Sequence, residues 1–299
     1  MKQSTFYYLL RRGVIGGGGS ASGFTGLLDT YSGAAAAYSL RQLSSTYSGN
    51  AIKVRRASDN AEQDIAFSNN ELDTATLETF ASGTDAFVTT WYDQSGNGND
   101  AANATASAQP KIVSAGSTIL ENGKAAIQWD GTNDYLNHTF STPSQLYRIN
   151  MSLWIVNNVT GGDTRKVLMH STPDGTDIYT PYFEYDSNAP SNLRHFSGNA
   201  GSFSLTTSSS EFSFNTQRLA SVLKNGTTLQ EIFVNGSSQG SNTSSNAVVD
   251  MNGYNIGAHE SATQRWFGGT MQEIVIYNSY ESSNRTGIET NINDFYSIY

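Results

Sequence analysis

Apolar and polar positions alternate along most of this chain in short runs, and nearly every run ends on Gly, Asn, Asp or Ser. A period of two marks a strand with one buried face. Such runs occur at Ile52–Arg56, Phe87–Tyr92, Ile112–Val113, Ala125–Trp129, Tyr135–Leu136, Met151–Val156, Lys166–His170, Ile178–Tyr185, Leu193–Phe196 and Arg218–Leu223. Glu231–Ser237 runs through Asn235-Gly236, the strongest short hairpin signal, and Tyr254–Gly257 and Gly268–Asn278 continue the series. Two segments read differently. Ala34–Leu43 is alanine-rich and predicts a turn or two of helix, with Ser32 as its cap. Asn284–Tyr296 places Ile288, Ile292 and Phe295 on one helical face. Many short strands with no βαβ rhythm predict an all-β sandwich. A jelly roll with a C-terminal helix manages the edges of two such sheets.

The pattern breaks near the N-terminus. Met1–Ile15 is a short amphipathic segment, and Gly16-Gly17-Gly18-Gly19-Ser20 after it is a flexible linker. The chain is therefore divided into an anchoring arm at 1–24, carried by Phe6, Tyr7, Tyr8, Leu9, Leu10, Arg11 and Arg12, and a sandwich at 25–299. Phe6–Leu10 is too short for the apolar region of a secretory leader, and Arg11-Arg12 interrupts it. No apolar stretch reaches the roughly 18 residues of a membrane span.

Composition narrows the partners. Only 14% of the 299 residues are charged and the net charge is −9, so the polarity comes from Ser, Thr, Asn and Gly. A nucleic-acid backbone wants a basic stripe. The basic positions Lys53, Arg55 and Arg56 alternate along one strand and are expected to pair with Asp59, Glu62 or Asp64, so nucleic acid is not an expected partner. The chain has no cysteine, which excludes disulfides and thiolate metal sites. His138, His170, His195 and His259 form no HxH or HExxH pair, so zinc is not expected.

Two phrases carry a resemblance. Tyr47-Ser48-Gly49-Asn50-Ala51-Ile52-Lys53-Val54-Arg55-Arg56-Ala57-Ser58-Asp59 precedes Trp91-Tyr92-Asp93-Gln94-Ser95-Gly96-Asn97-Gly98-Asn99-Asp100. Together they resemble the catalytic domain of the fungal arabinofuranosidase B family. The succession Val234-Asn235-Gly236, Ile256-Gly257 and Glu273-Ile274-Val275-Ile276-Tyr277-Asn278 is similar to laminin-G and concanavalin A-like lectin/glucanase domains. These resemblances imply a concanavalin-like jelly-roll sandwich. The first also implies a retaining pair of carboxylates. Its nucleophilic glutamate aligns with Glu184, in Tyr182-Phe183-Glu184-Tyr185-Asp186. Its acid/base aspartate follows an Ile-Gly-Gly turn that here reads Ile256-Gly257-Ala258-His259-Glu260. His259 stands where the aspartate would, and Glu260 is the substitute acid if the chain is an enzyme.

Two further constellations bear on function. Asp93, Asn97, Asn99 and Asp100 offer hard oxygen ligands within eight residues, a candidate calcium site, and Asp130, Asn133 and Asp134 offer more such oxygens; no other cofactor is expected. Trp266, Phe267, Tyr182 and His259 are the aromatic and polar candidates for carbohydrate contact, whereas Trp91, Trp129 and Trp154 lie on strands and read as core. The phrases that open the domain are also similar to concanavalin-like proteins of tailed-phage virions. The leading expectation is accordingly a non-enzymatic virion surface protein made in a host cytoplasm, a capsid decoration or a head- or tail-fibre component. It would be lattice-bound or homo-oligomeric, docked on capsid or tail proteins by the arm, and would face host glycans. The alternatives are a retaining arabinofuranosidase-type hydrolase and a secreted carbohydrate-binding module.

Overall fold

The computed structural model describes residues 23–144, 150–160, 166–173, 182–186, 191–199, 202–243, 251–259, 262 and 265–299. The expected arm, up to residue 22, lies outside the described residues.

After a short helix α1 (Leu27–Thr30) the chain enters β1 (Ala34–Ser39), β2 (Ile52–Arg56) and β3 (Glu62–Ile65). A small hairpin, β4 (Phe67–Ser68) and β5 (Glu71–Leu72), leads to helix α2 (Thr74–Ala81). Then come β6 (Ala86–Trp91), β7 (Ala101–Ala102), β8 (Lys111–Ser114), β9 (Ser117–Thr118), β10 (Leu120–Glu121), β11 (Lys124–Ala125) and β12 (Ile127–Asp130). Longer strands follow: β13 (Leu136–Ser144), β14 (Met151–Val159), β15 (Lys166–Pro173), β16 (Tyr182–Tyr185), β17 (Ser191–Asn199) and β18 (Ser202–Phe212). The last are β19 (Gln217–Asn225), β20 (Leu229–Val234), β21 (Ser237–Asn242), β22 (Met251–Ile256) and β23 (Gly268–Tyr277), before helix α3 (Arg285–Tyr296).

The pairings sort these strands into two antiparallel layers. In the rear layer β1 and β12 share one edge of β23, whose other edge carries β14, β19, β20 and β21 in turn. The front layer runs β3–β2–β6–β7–β13–β22–β15–β16–β17–β18. Strand β8 bridges the layers by pairing with β6 and β12. At the far side β18 lies against β21. A Cβ on Gly240 would stand 2.7 Å from the Thr207 carbonyl oxygen, so the missing side chain lets the two layers meet. The result is an all-β jelly-roll sandwich, nearly closed, with a C-terminal helix.

Between the layers lies an aromatic core. Trp91 packs on Tyr38 and Trp129 at centroid distances of 5.7 and 6.3 Å, and Phe267 meets Trp129 edge-on at 6.0 Å. Rings in such offset and edge-on contacts add about 0.5–1.5 kcal/mol per pair beyond their burial. A second cluster, with Trp154, Val156, Leu219, Val275 and Tyr277, faces the other way, onto Ile288, Ile292 and Tyr296 of α3. The rear layer is thus buried on both faces, which explains why every residue of β23 is buried.

Ala34–Leu43 corrects the helix expected there, since Ala34–Ser39 is a strand. Gly33 turns the chain at φ +88°, and Ala34–Ser39 then pairs with Tyr277–Glu273 of β23. The other edge of β1 is closed by side chains. Asp93 Oδ1 accepts from the Ala37 amide at 2.8 Å. The amides of Asn97 and Asn99 donate to the carbonyls of Ala34 and Ala35, and Gln94 donates to the carbonyls of Ser39 and Arg41. Methyl side chains leave room for this, and the ladder outweighs a weak local preference for helix.

Candidate active site

On β16, Phe183 and Tyr185 point into the core, so the period of two puts Glu184 on the outer face of the front layer. Glu184 is completely buried there. Strand β17 places Arg194 directly opposite, and its guanidinium donates to Glu184 Oε1 at 2.9 Å while also holding Asp186 at 3.0 Å. Arg265 brings a second guanidinium to 3.9 Å from Oε2. A buried carboxylate needs such partners to offset its lost hydration.

A row of side chains crosses the same face beside it. His170 on β15 stands opposite both Tyr182 and Asn255 of the flanking strands. Asn255 is buried and donates to the His259 carbonyl at 2.8 Å. That bond folds the segment after β22 back over the sheet, and the His259 ring meets His170 edge-on at 4.5 Å and 87°. The fold-back starts at Gly257, with φ +83°, where a Cβ would stand 2.5 Å from the Trp129 ring nitrogen. Ala262 and Arg265 are left-handed at φ +47° and +54°, a conformation that costs a non-glycine residue free energy and here brings Arg265 to Glu184. Trp266 is half-buried, its ring 6.1 Å from that of Tyr135.

The sequence candidates fall in different places. Glu184 and His259 share this site. Trp266 lies at its margin with Tyr135. Phe267 is a correction: it is fully buried in the core against Trp129 and has no face to offer a sugar, because Gly268-Gly269 after it opens β23 rather than a loop. Tyr182 contributes its backbone at the row with His170, but its side chain lies outside the described residues, as does Glu260. Asp93, Asn97, Asn99 and Asp100 form the loop that closes β1. Asp93 accepts from the backbone amides of Ala37, Ser95 and Asn99, and Asp100 accepts from the Asp93 amide, so both carboxylates are engaged in shaping the loop. Among the described residues no group of three or more His, Asp or Glu is placed to hold a metal ion.

Sequence reading missed His170, Arg194, Arg265 and Asn255. The alternation Leu193-Arg194-His195-Phe196 is the one signal that a cation lies on the face opposite the core. His195 lies on the inner face, its Nδ1 3.0 Å from Gln230 Oε1, and burial pushes it down to about 3. It stays neutral and serves packing. Asp134 belongs to a separate cleft of about 410 Å³ with Gln128, Lys111 and Asp130. Its carboxylate accepts from the Asp130 amide, while Asp130 accepts from the amides of Thr132, Asn133 and Asp134. The two aspartates close a turn between them.

The catalytic-domain model of α-L-arabinofuranosidase B matches residues 29–178, half of the chain. The chain belongs to this family. The match ends just before Glu184, so it covers the β1-closing loop and His170 but not Glu184, Arg194, His259 or Arg265. Among solved structures, a Glu-to-Gln variant of a GH54 α-L-arabinofuranosidase soaked with 4-nitrophenyl α-L-arabinofuranoside aligns at a TM-score of 0.69 and 18% identity. A GH54 α-L-arabinofuranosidase soaked with a cyclic sulfate inhibitor aligns at 0.66 and 18%, and an arabinofuranosidase complexed with arabinofuranosyl-α-1,2-xylobiose at 0.62 and 17%. Each alignment covers 87% of this chain and 62% of the other, and at these identities the likeness is one of fold. This chain therefore spans 62% of the length of those arabinofuranosidases. No curated protein sequence matches it. Membership of the arabinofuranosidase B family overturns the expectation of a non-enzymatic virion surface protein: the motifs that prompted it are the family's own, and they favour the hydrolase alternative.

Proposed function

We propose that this protein is a retaining glycoside hydrolase of the arabinofuranosidase type, acting on arabinofuranosides, with Glu184 as the nucleophile. One observation carries the reading: in a chain of this family, a fully buried glutamate on the outer face of the front layer is held between Arg194 and Arg265. Guanidiniums hold such a group in one orientation. A carboxylate so fixed can attack an anomeric carbon and form a glycosyl ester that water then cleaves. Burial strips it of solvent, so nothing need be displaced at the moment of attack.

The test is the release of 4-nitrophenol from 4-nitrophenyl α-L-arabinofuranoside by the full chain. Turnover by the wild type, with a loss of about 10⁴-fold or more in Glu184→Gln, is the expected result for removal of a covalent nucleophile. Wild-type protein that is folded and inert, or a glutamine variant as active as the wild type, overturns the proposal.

A further inference from the structure

Hydrolysis through Glu184 needs a proton donor for the leaving group, and the same face carries a paired imidazole. Resting on the hydrolase reading above, we propose that His259 is that donor, and that His170 is a positioning residue that holds the His259 ring in place.

The argument is geometric. His170 is in register with Tyr182, two residues from Glu184 on one face of β16. A rise of about 3.4 Å per residue and a strand spacing of about 4.8 Å put the Glu184 and His170 positions within a sugar ring's reach of each other. The His259 ring sits on His170 at 4.5 Å, and its main chain is tied to Asn255 in the same cross-strand row. The segment is held in this course by a glycine that a Cβ would jam against Trp129 and by two left-handed residues. Strain of this kind accumulates where a fold fixes a functional group. Among the described residues, the charged groups and imidazoles on the elements around His259 are Lys166 and His170 on β15, Glu184 and Asp186 at β16, Arg194 on β17 and Arg265 in its own segment; Glu260, next in sequence, lies outside the described residues. Arg194 holds Glu184 and Asp186, and Arg265 approaches Glu184. Glu184 takes the nucleophile's role, and among the described residues an imidazole is the nearby kind of group that holds and releases a proton near neutral pH.

The step balances. Glu184 Oε forms a bond to the anomeric carbon as the bond from that carbon to the leaving oxygen breaks, and the leaving oxygen takes the proton of the His259 imidazolium. Water then attacks the anomeric carbon, the ester bond to Glu184 breaks, and the water's proton goes to the neutral His259. The net change is the addition of water across one glycosidic bond, with both residues restored.

The experiment compares wild type, His259→Gln and His259→Asp on two arabinofuranosides, one of an acidic dinitrophenol and one of an alkanol, with the melting temperature as the check on folding. Loss of a general acid costs about 10²–10⁴-fold. His259→Gln is expected to lose that much on the alkanol glycoside and far less in bond cleavage on the dinitrophenyl one. Added azide should then restore turnover by replacing the base-assisted water and should yield the arabinofuranosyl azide. His259→Asp is expected to move the alkaline limb of the kcat/KM profile down by roughly two and a half pH units, the gap between free histidine and aspartate. Equal losses on both substrates, no azide product and an unmoved alkaline limb in folded variants overturn the inference and leave the hydrolase reading standing. A wild type inert on both substrates overturns the hydrolase reading, and the inference falls with it.

Discussion

Two glutamates, one in each layer, are fully buried against an arginine and yet do different things. Glu273 lies on the outside of the rear layer, beneath α3. Arg41 grips both of its oxygens, at 2.7 and 2.9 Å. Ser39 donates to it at 2.7 Å and Tyr296 at 3.3 Å, and Asn291 in turn accepts from Arg41 at 3.0 Å. Glu184 lies on the outside of the front layer. Among the partners the described residues give it, Arg194 donates at 2.9 Å while also holding Asp186, and Arg265 stands at 3.9 Å. A carboxylate locked by two parallel bonds and two hydroxyls is a structural member. One held in orientation by shared guanidiniums, on a sheet face that no helix of the described residues covers, is placed for chemistry.

Replacing each glutamate by glutamine puts the same isosteric loss of charge into both layers and separates the two roles. The largest expected effect is Glu184→Gln on catalysis, about 10⁴-fold or more, with a stability change within about 1 kcal/mol because Arg194 keeps Asp186. Urea unfolding and turnover of 4-nitrophenyl α-L-arabinofuranoside, measured on one preparation, give both numbers. A destabilisation as large as that of the rear-layer variant would make Glu184 a structural residue. Glu273→Gln is expected to cost about 3–5 kcal/mol, because Arg41 is left buried without its charge partner, while activity per folded molecule is unchanged. Coincident small losses in both layers would erase the distinction.

Gly257→Ala probes the junction between the front layer and the segment that bears His259. At φ +83° and 2.5 Å from the Trp129 ring nitrogen, the added methyl must displace either the core or the segment. The expected cost is about 1–3 kcal/mol. A fall in activity beyond the fraction unfolded would show that the segment moved. Full activity with lost stability would show that the core gave way, and His259 would then be insensitive to the turn that holds it.

Much of the fold was legible in the chain, and the reasons are local. The alternations at Ile52–Arg56, Met151–Val156 and Arg218–Leu223 became β2, β14 and β19, and the period at Asn284–Tyr296 became α3 within one residue. Ala34–Ser39 was not legible, because its strand is imposed by partners 55 to 64 and about 240 residues away: the amides of Gln94, Asn97 and Asn99 on one edge and β23 on the other. The site was legible only in part. Glu184 and His259 stood out through the resemblance, but Arg194, His170 and Arg265 gather around them through cross-strand register and a left-handed turn. No short-range pattern encodes either. Phe267 shows the converse error: an aromatic ahead of two glycines has the composition of a loop, yet Gly268-Gly269 opens β23 and the ring is drawn into the core.

The smallest expected effect concerns a third buried carboxylate, which tests the comparison because no arginine holds it. Asp134 sits where β12 turns toward β13, and burial, with Asp130 beside it, pushes its carboxyl up to about 7, against the opposing hydrogen bond from the Asp130 amide and the charge of Lys111. Its unfolded value is about 3.9. A folded value above the unfolded one means that the native state holds the proton more tightly. The stability this group contributes is therefore fully present below about pH 4 and is lost as pH rises through 7. Each unit is worth about 1.4 kcal/mol at most, and water at the turn reduces the total to about 1–2 kcal/mol. Asp134→Asn keeps an oxygen to accept from the Asp130 amide and removes the titration. Urea unfolding of both proteins at pH 5 and pH 8 should show the variant gaining about 1–2 kcal/mol on the wild type between the two. Parallel curves would mean that Asp134 is already compensated as Glu273 is, and that burial without an arginine is not what sets these carboxylates apart.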